Sequence, residues 1–98
     1  MRKGGVVYIL ASQRRGTIYT GVTASLPDRL HDHRTGGGSK FVRKYGVARL
    51  VHYDEFPDIQ SAIAREKAIE SWPRAWKVEL IETTNPAWHD LTPHWLLG

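Results

Sequence analysis

The sequence predicts a single α/β (α+β) domain with the element order β-β-α-β-α-α, and three observations carry that prediction. Two short runs of β-branched and aromatic residues, 6–10 and 17–20, flank a turn containing Ser12 and Gly16. A segment with proline in its first turn follows at Leu26 and stops at Gly36-Gly37-Gly38, the punctuation of a short helix. A third β-rich run over 47–55 then leads into two helical stretches separated by Trp72-Pro73. Ninety-eight residues with 41% hydrophobic composition suit one compact domain over residues 1–98 with a modest core.

Composition excludes several function classes. No apolar run has transmembrane length, and MRKGG leads into a strand where a signal peptide would have its apolar stretch. The expectation is a soluble, unprocessed, cytoplasmic protein with no membrane partner. With no cysteine there are no disulfides or thiolate metal sites, which leaves carboxylate, imidazole or water as ligands for any metal. Charge is asymmetric: residues 1–49 carry a net +8 and residues 50–98 a net −4. The basic half suits a polyanion, with phosphate the obvious anion.

In the first hairpin Val6, Tyr8 and Leu10 share one strand face, and Thr17, Tyr19, Gly21 and Thr23 share a face of the partner, so the two tyrosines fall on one side. A packed cross-strand pair explains them without any chemistry. The connecting loop is polar and basic. Arg14 and Arg15 there are either phosphate contacts or a solubilising turn.

The first helix reads LPDRLHDHR, with Ser25 as its cap. Leu26 and Leu30 form its apolar stripe, and Arg29 and His33, four residues apart, point the same way along a neighbouring one. A guanidinium fork beside an imidazole suits phosphoryl transfer; a solvated basic face is the plain alternative. The glycine run continues into Ser39, Lys40, Phe41, Val42, Arg43, Lys44 and Tyr45, a mixture of cations and aromatics that suits a nucleic-acid backbone. Its spacing is not that of a nucleotide-binding P-loop.

Leu50 and Val51, adjacent and both apolar, suggest that the third strand is central and covered on two sides. Asp58 caps the second helix, in which Ile59, Ala62, Ile63 and Ile69 form an apolar arc that also contains Glu66. A carboxylate where the stripe calls for leucine requires a partner. Two readings remain: an ion pair with a long Arg or Lys of the first helix, or a ligand for a hard divalent cation. The third helix is expected over 74–82. Trp72, Trp76, Trp88 and Trp95 read as core or tail-packing groups, and Asn85 precedes Pro86 as a turn former.

Laid out in this order, the residues resemble the GIY-YIG nuclease family over nearly the whole chain. The first signature tripeptide stands as Val6-Val7-Tyr8 and the second as Tyr19-Thr20-Gly21. Arg29-Leu30 follows, then His33, Glu66 within AIAREKAIESW, and Asn85. The stretches YGVARLVHYDEF and RAWKVELIETTNPAWHDL look like the small stand-alone bacterial members. Val6, Val7 and Thr20 depart from the signature but suit strands, and Val22 stands where DNA-repair relatives can carry lysine.

The resemblance implies a small central three-stranded antiparallel sheet flanked by helices. It also implies a metal-dependent endonuclease whose catalytic set is Tyr8, Tyr19, Arg29, His33, Glu66 and Asn85. In that picture Mg²⁺ or Mn²⁺ sits on Glu66, Arg29 neutralises the phosphoryl group, and Tyr8 or Tyr19 assists water attacking in line. A tyrosine serving as base at neutral pH requires a nearby cation or metal to favour its phenolate. His33 orients the tyrosine or relays its proton, and Asn85 holds the site or the backbone. The implied partner is nucleic acid, DNA ahead of RNA, met by Arg14, Arg15, Lys40, Arg43 and Lys44. A monomer with no small-molecule cofactor is expected. The competing readings are a nucleic-acid-binding module on the same fold with weak or lost cleavage, and an adaptor using the tryptophan-rich tail.

Overall fold

The structure is a computed structural model that describes residues 4–34, 44 and 46–92. Lys40, Arg43, Phe41, Tyr45, Trp95 and the Gly36-Gly37-Gly38 run lie outside the described residues. Among the described residues the strands are β1 (Gly5–Ala11), β2 (Ile18–Thr23) and β3 (Arg49–Phe56), and the helices with described bounds are α1 (Leu26–Arg34), α2 (Ile59–Ser71) and α3 (Arg74–Thr84). Their order is the β-β-α-β-α-α read from the sequence, and both strand pairings are antiparallel.

The strands lie in the order β2-β1-β3, which makes β1 the central strand and corrects the expectation for β3. The unbroken apolar run of β1 is the signal of a strand covered on both faces, and Val7 to Ala11 are all buried. Adjacent Leu50 and Val51 have a different origin. Ile9 pairs with His52 and Leu10 with Leu50, so Val51 is the extra residue of a β-bulge. Leu50 joins the cluster on one face and Val51 the cluster on the other.

One face carries Tyr8, Leu10 and Leu50 under Leu26 and Leu30 of α1, with Val47 and Tyr19 beside them. The opposite face carries Val7, Ile9, Ala11 and Val51 under Ala62 and Ile69 of α2, Ile81 of α3 and Trp88. The backbones of β1 and α2 approach closely at Gly5, where a Cβ would come within 2.7 Å of the Ala62 Cβ. Asp58 caps α2 as expected, its Oδ1 accepting from the Ser61 N–H at 2.7 Å. Pro73 then starts α3 on a new axis.

The ends of the sheet are fastened by polar contacts. Arg15, in the left-handed region at φ 56, forks onto Glu82 of α3 at 3.0 and 3.1 Å, and Arg74 donates to the carbonyls of Arg15 and Gly16, each at 2.7 Å. Glu82 also accepts from the Trp88 indole at 2.7 Å. Asn85 is buried; its Nδ2 donates to the Val51 and His89 carbonyls, and its Oδ1 accepts from the His89 N–H. The Leu91 N–H then donates to the Leu50 carbonyl, so the tail covers part of the β3 edge. Trp88 is fully buried and Trp72 packs against the core, but Trp76 is 56% exposed. The buried residue of α3 is Ile81, and Trp76 points away from that stripe, against the expectation of a core group.

Two predictions concern this framework. Thr20 lies on the α2 side of β2, and among the described residues its buried Oγ1 has no hydrogen-bond partner. Thr20→Val removes an unsatisfied hydroxyl at constant shape and is expected to stabilise the fold by about 1 kcal/mol, a rise of roughly 4–8 °C in Tm; an unchanged or lower Tm contradicts this account. Asn85→Ala strands the buried Val51 carbonyl and releases the two main-chain groups of His89, and is expected to cost about 3 kcal/mol in denaturant unfolding. A loss below roughly 1 kcal/mol would show that the tail is held by other contacts.

Candidate active site

The register of the hairpin builds the site. Tyr8 pairs with Gly21, and Leu10 pairs with Tyr19, so the tyrosines sit diagonally across two strands with ring centroids 6.3 Å apart. The Tyr8 ring lies over the bare backbone of Gly21. A Cβ there would come within 2.5 Å of both the Tyr8 Cζ and hydroxyl, so glycine is required for lack of space. Sequence reasoning alone does not assign Gly21 this task; the available signal is its period-two placement on the tyrosine face.

His33, near the C-terminal end of α1, closes the cluster. Its Nε2 lies 3.2 Å from the Tyr8 hydroxyl, and its ring centroid is 6.0 Å from that of Tyr8 and 5.8 Å from that of Tyr19. The aromatic cluster is therefore a packed trio, two tyrosines from the sheet and an imidazole from the covering helix. Among the described residues His33 Nδ1 is buried without a hydrogen-bond partner.

The electrostatics of the trio follow from burial. Desolvation holds the Tyr8 phenol well above its ordinary pKa, and the charge and hydrogen bonding of Tyr19 push the same way. Arg29 opposes that shift and Glu66 adds to it, so both act on the Tyr8 hydroxyl. The cation that the phenolate requires is present, but burial outweighs it. His33 is lowered by burial and by Arg29, with Asp32 opposing, which favours a neutral imidazole near pH 7. A neutral imidazole against a protonated phenol can take up or return a proton through one hydrogen bond.

Arg29 is exposed on α1, and Glu66 is half-buried on α2. Burial raises the Glu66 carboxyl, its neighbour Glu70 raises it further, and Lys67 opposes. Among the described residues no Arg or Lys forms an ion pair with Glu66, whereas Glu70 meets Lys77 at 3.8 Å. No group of three or more His, Cys, Asp or Glu among the described residues converges as a ligand cage. A lone carboxylate fits a hard cation that keeps several waters and does not fit a closed nitrogen or sulfur site.

The other sequence-selected residues divide. Asn85 holds main chain of β3 and the tail, its amide filled by backbone partners, and it has no contact with the aromatic trio. Arg15, in the exposed hairpin loop, forms an ion pair with Glu82 at 3.0 Å. Arg14 and Lys44 are exposed. Among the described residues no helix is long and apolar enough to cross a membrane.

Comparison with known proteins bears on the family and the fold. A family model described as the GIY-YIG catalytic domain matches residues 4–79, a span that includes Tyr8, Tyr19, Arg29, His33 and Glu66 but ends before Asn85. A UPF0213 protein of Oceanobacillus iheyensis is 38% identical over 76 residues, covering 78% of this chain and 87% of its own. Another, from Haloquadratum walsbyi, is 35% identical over 66 residues, covering 67% and 74%. The solution NMR structure of a UPF0213 protein from Bacillus halodurans superposes with a TM-score of 0.57 at 30% identity, covering 91% of this chain and 94% of that one. The family match over most of the chain, and relatives alike in sequence and in fold, carry one conclusion: this chain belongs to the GIY-YIG family.

Proposed function

We propose that the protein is a metal-dependent endonuclease that hydrolyses phosphodiester bonds of a nucleic-acid backbone, with DNA as substrate. The observation that carries this reading is the Tyr8 hydroxyl, bonded to a neutral imidazole and acted on by both an arginine and a carboxylate that forms no ion pair among the described residues.

Each residue has a task the chemistry needs. The Tyr8 phenol keeps its proton at rest. As its oxygen takes a proton from the attacking water, its own proton moves to His33 Nε2, so no free phenolate has to exist in the buried site. Tyr19 packs against both rings and fixes their approach. Arg29, on the exposed surface of α1, sets its donor fork against the phosphoryl oxygens as negative charge builds on them. Glu66 would hold Mg²⁺ or Mn²⁺, which when bound supplies positive charge against the scissile phosphate and leaving oxygen. Arg14 and Lys44, with Lys40 and Arg43, serve as phosphate contacts along the backbone.

The metal assignment is tested with Glu66→Gln, which keeps shape and hydrogen bonding but removes the charge. Folding and nucleic-acid affinity in EDTA are expected to be retained, while Mg²⁺- or Mn²⁺-dependent cleavage falls by about a hundredfold or more. Full wild-type turnover in EDTA would sink it.

Arg29 separates an enzyme from a binding module. Its fork acts in the transition state, so Arg29→Ala is expected to lose about 10²–10³-fold in single-turnover rate with a far smaller change in Kd. Arg29→Lys is expected to recover little, because a point charge does not reproduce the planar donors. Parallel losses of rate and affinity, or a wild type that yields no metal-dependent product, would instead favour the binding module.

A further inference from the structure

Outside the aromatic trio, one surface combines aromatic exposure with a fixed cation. Trp76 of α3 is 56% exposed, and it meets Trp72 edge to face with ring centroids 6.0 Å apart at 69°. The Arg65 guanidinium sits 4.9 Å from the centre of the Trp72 ring. A lone exposed indole calls for no explanation, but two indoles and a guanidinium that hold one another in place form a preset aromatic surface. Beside it runs a groove of about 290 Å³ lined by Trp72, Trp76, Glu79, Leu80 and Thr83.

The chemistry of the groove selects its occupant. Its apolar floor and indole faces suit a flat π system, and the Glu79 carboxylate and Thr83 hydroxyl on its rim suit a ligand edge that carries N–H donors. A nucleobase has both. A phosphate inside the groove would face Glu79, so the groove suits a base and not its phosphate; Arg65 is not among the groove's lining residues and lies over the Trp72 ring. Arg65 and Glu66 are neighbours on α2, and Trp72, the residue that caps this helix, lies six residues beyond Glu66, about 9 Å along the helix axis, which is within the reach of a few nucleotides of backbone from the proposed active site. Bases in a duplex are already stacked on both sides, so the groove suits a base free of pairing.

We propose that Trp76 and Trp72, backed by Arg65, form a stacking subsite for an unpaired nucleobase flanking the phosphate held at Arg29 and Glu66. This rests on the nuclease reading for the position of the phosphate; the stacking itself is measured separately. Three probes are used with the full chain: a single-stranded oligodeoxycytidylate, the same strand with abasic residues, and a blunt duplex of equal length. Affinities are measured in EDTA, where cleavage plays no part. Trp76→Ala is expected to weaken binding of the single strand by about 5- to 100-fold and to leave the abasic strand and the duplex within about twofold. Trp76→Phe, which keeps a π face, is expected to retain most of the affinity, and thermal unfolding confirms that both variants fold. An unchanged single-strand affinity in Trp76→Ala, or an equal loss on the abasic strand or duplex, overturns the subsite. The three probes are also incubated with wild type and Mn²⁺; absence of product from all of them overturns the nuclease reading alone, while the EDTA affinities still decide the subsite.

Discussion

The constraint on which the site depends is the close approach of the Tyr8 ring to the bare backbone of Gly21. A large aromatic residue on the central strand sits directly opposite the one residue type that leaves it room. That pairing presses the ring onto β2 and leaves its hydroxyl 3.2 Å from His33 on the helix above. It also ties the apolar core to the polar site, because Tyr8 is fully buried and packs with Leu10, Leu30 and Leu50. The residue at the centre of the proposed chemistry is thus also a large part of the packing under α1. Rigidity of this kind keeps a reactive group in geometry without depending on loop conformation.

Burial sets the proton chemistry of the cluster. It disfavours charge on the Tyr8 phenol and on the His33 imidazole alike, so the resting pair is neutral on both sides of one hydrogen bond. Arg29 pulls the phenol the other way, and Glu66, itself raised by burial and by Glu70, adds to the push. Two groups of opposite charge therefore act on one hydroxyl. Under the proposed assignment of a metal to Glu66, a bound cation would offset part of the negative charge that acts on the phenol.

Several residues with chemically suggestive side chains serve the scaffold. Arg15 and Glu82 lock the hairpin loop to α3, Arg74 satisfies two carbonyls of the same loop, and Asn85 secures the tail beside β3. Part of the positive charge of the first half is thus engaged within the chain. Arg49, another of its cations, donates to the Trp88 carbonyl at 2.9 Å. A charge count does not distinguish an arginine that faces solvent from one that fills a main-chain acceptor.

The order of the elements, the Asp58 cap, the stop before Pro73 and the diagonal nearness of the tyrosines were legible in the sequence, because they rest on local propensity, proline geometry and the two-residue period of a strand. Glu66 was legible as an anomaly of the 3.6-residue period, whereas the same period put Arg29 and His33 on one side and could not tell that Arg29 stays exposed while His33 is buried against the tyrosines. Strand order, the bulge at Val51, the bond between His33 and Tyr8, and the exposure of Trp76 were decided by the tertiary structure. Each depends on which distant segment packs against which, and the same local pattern is compatible with more than one such pairing. An indole at helical spacing reads as core until the neighbouring helix is in place, and an Asn before proline reads as a turn former until the carbonyls around it are known. Local periodicity determined what each element is; the faces it buries, and so the surfaces left to meet a ligand, followed only from contacts between residues far apart in the chain.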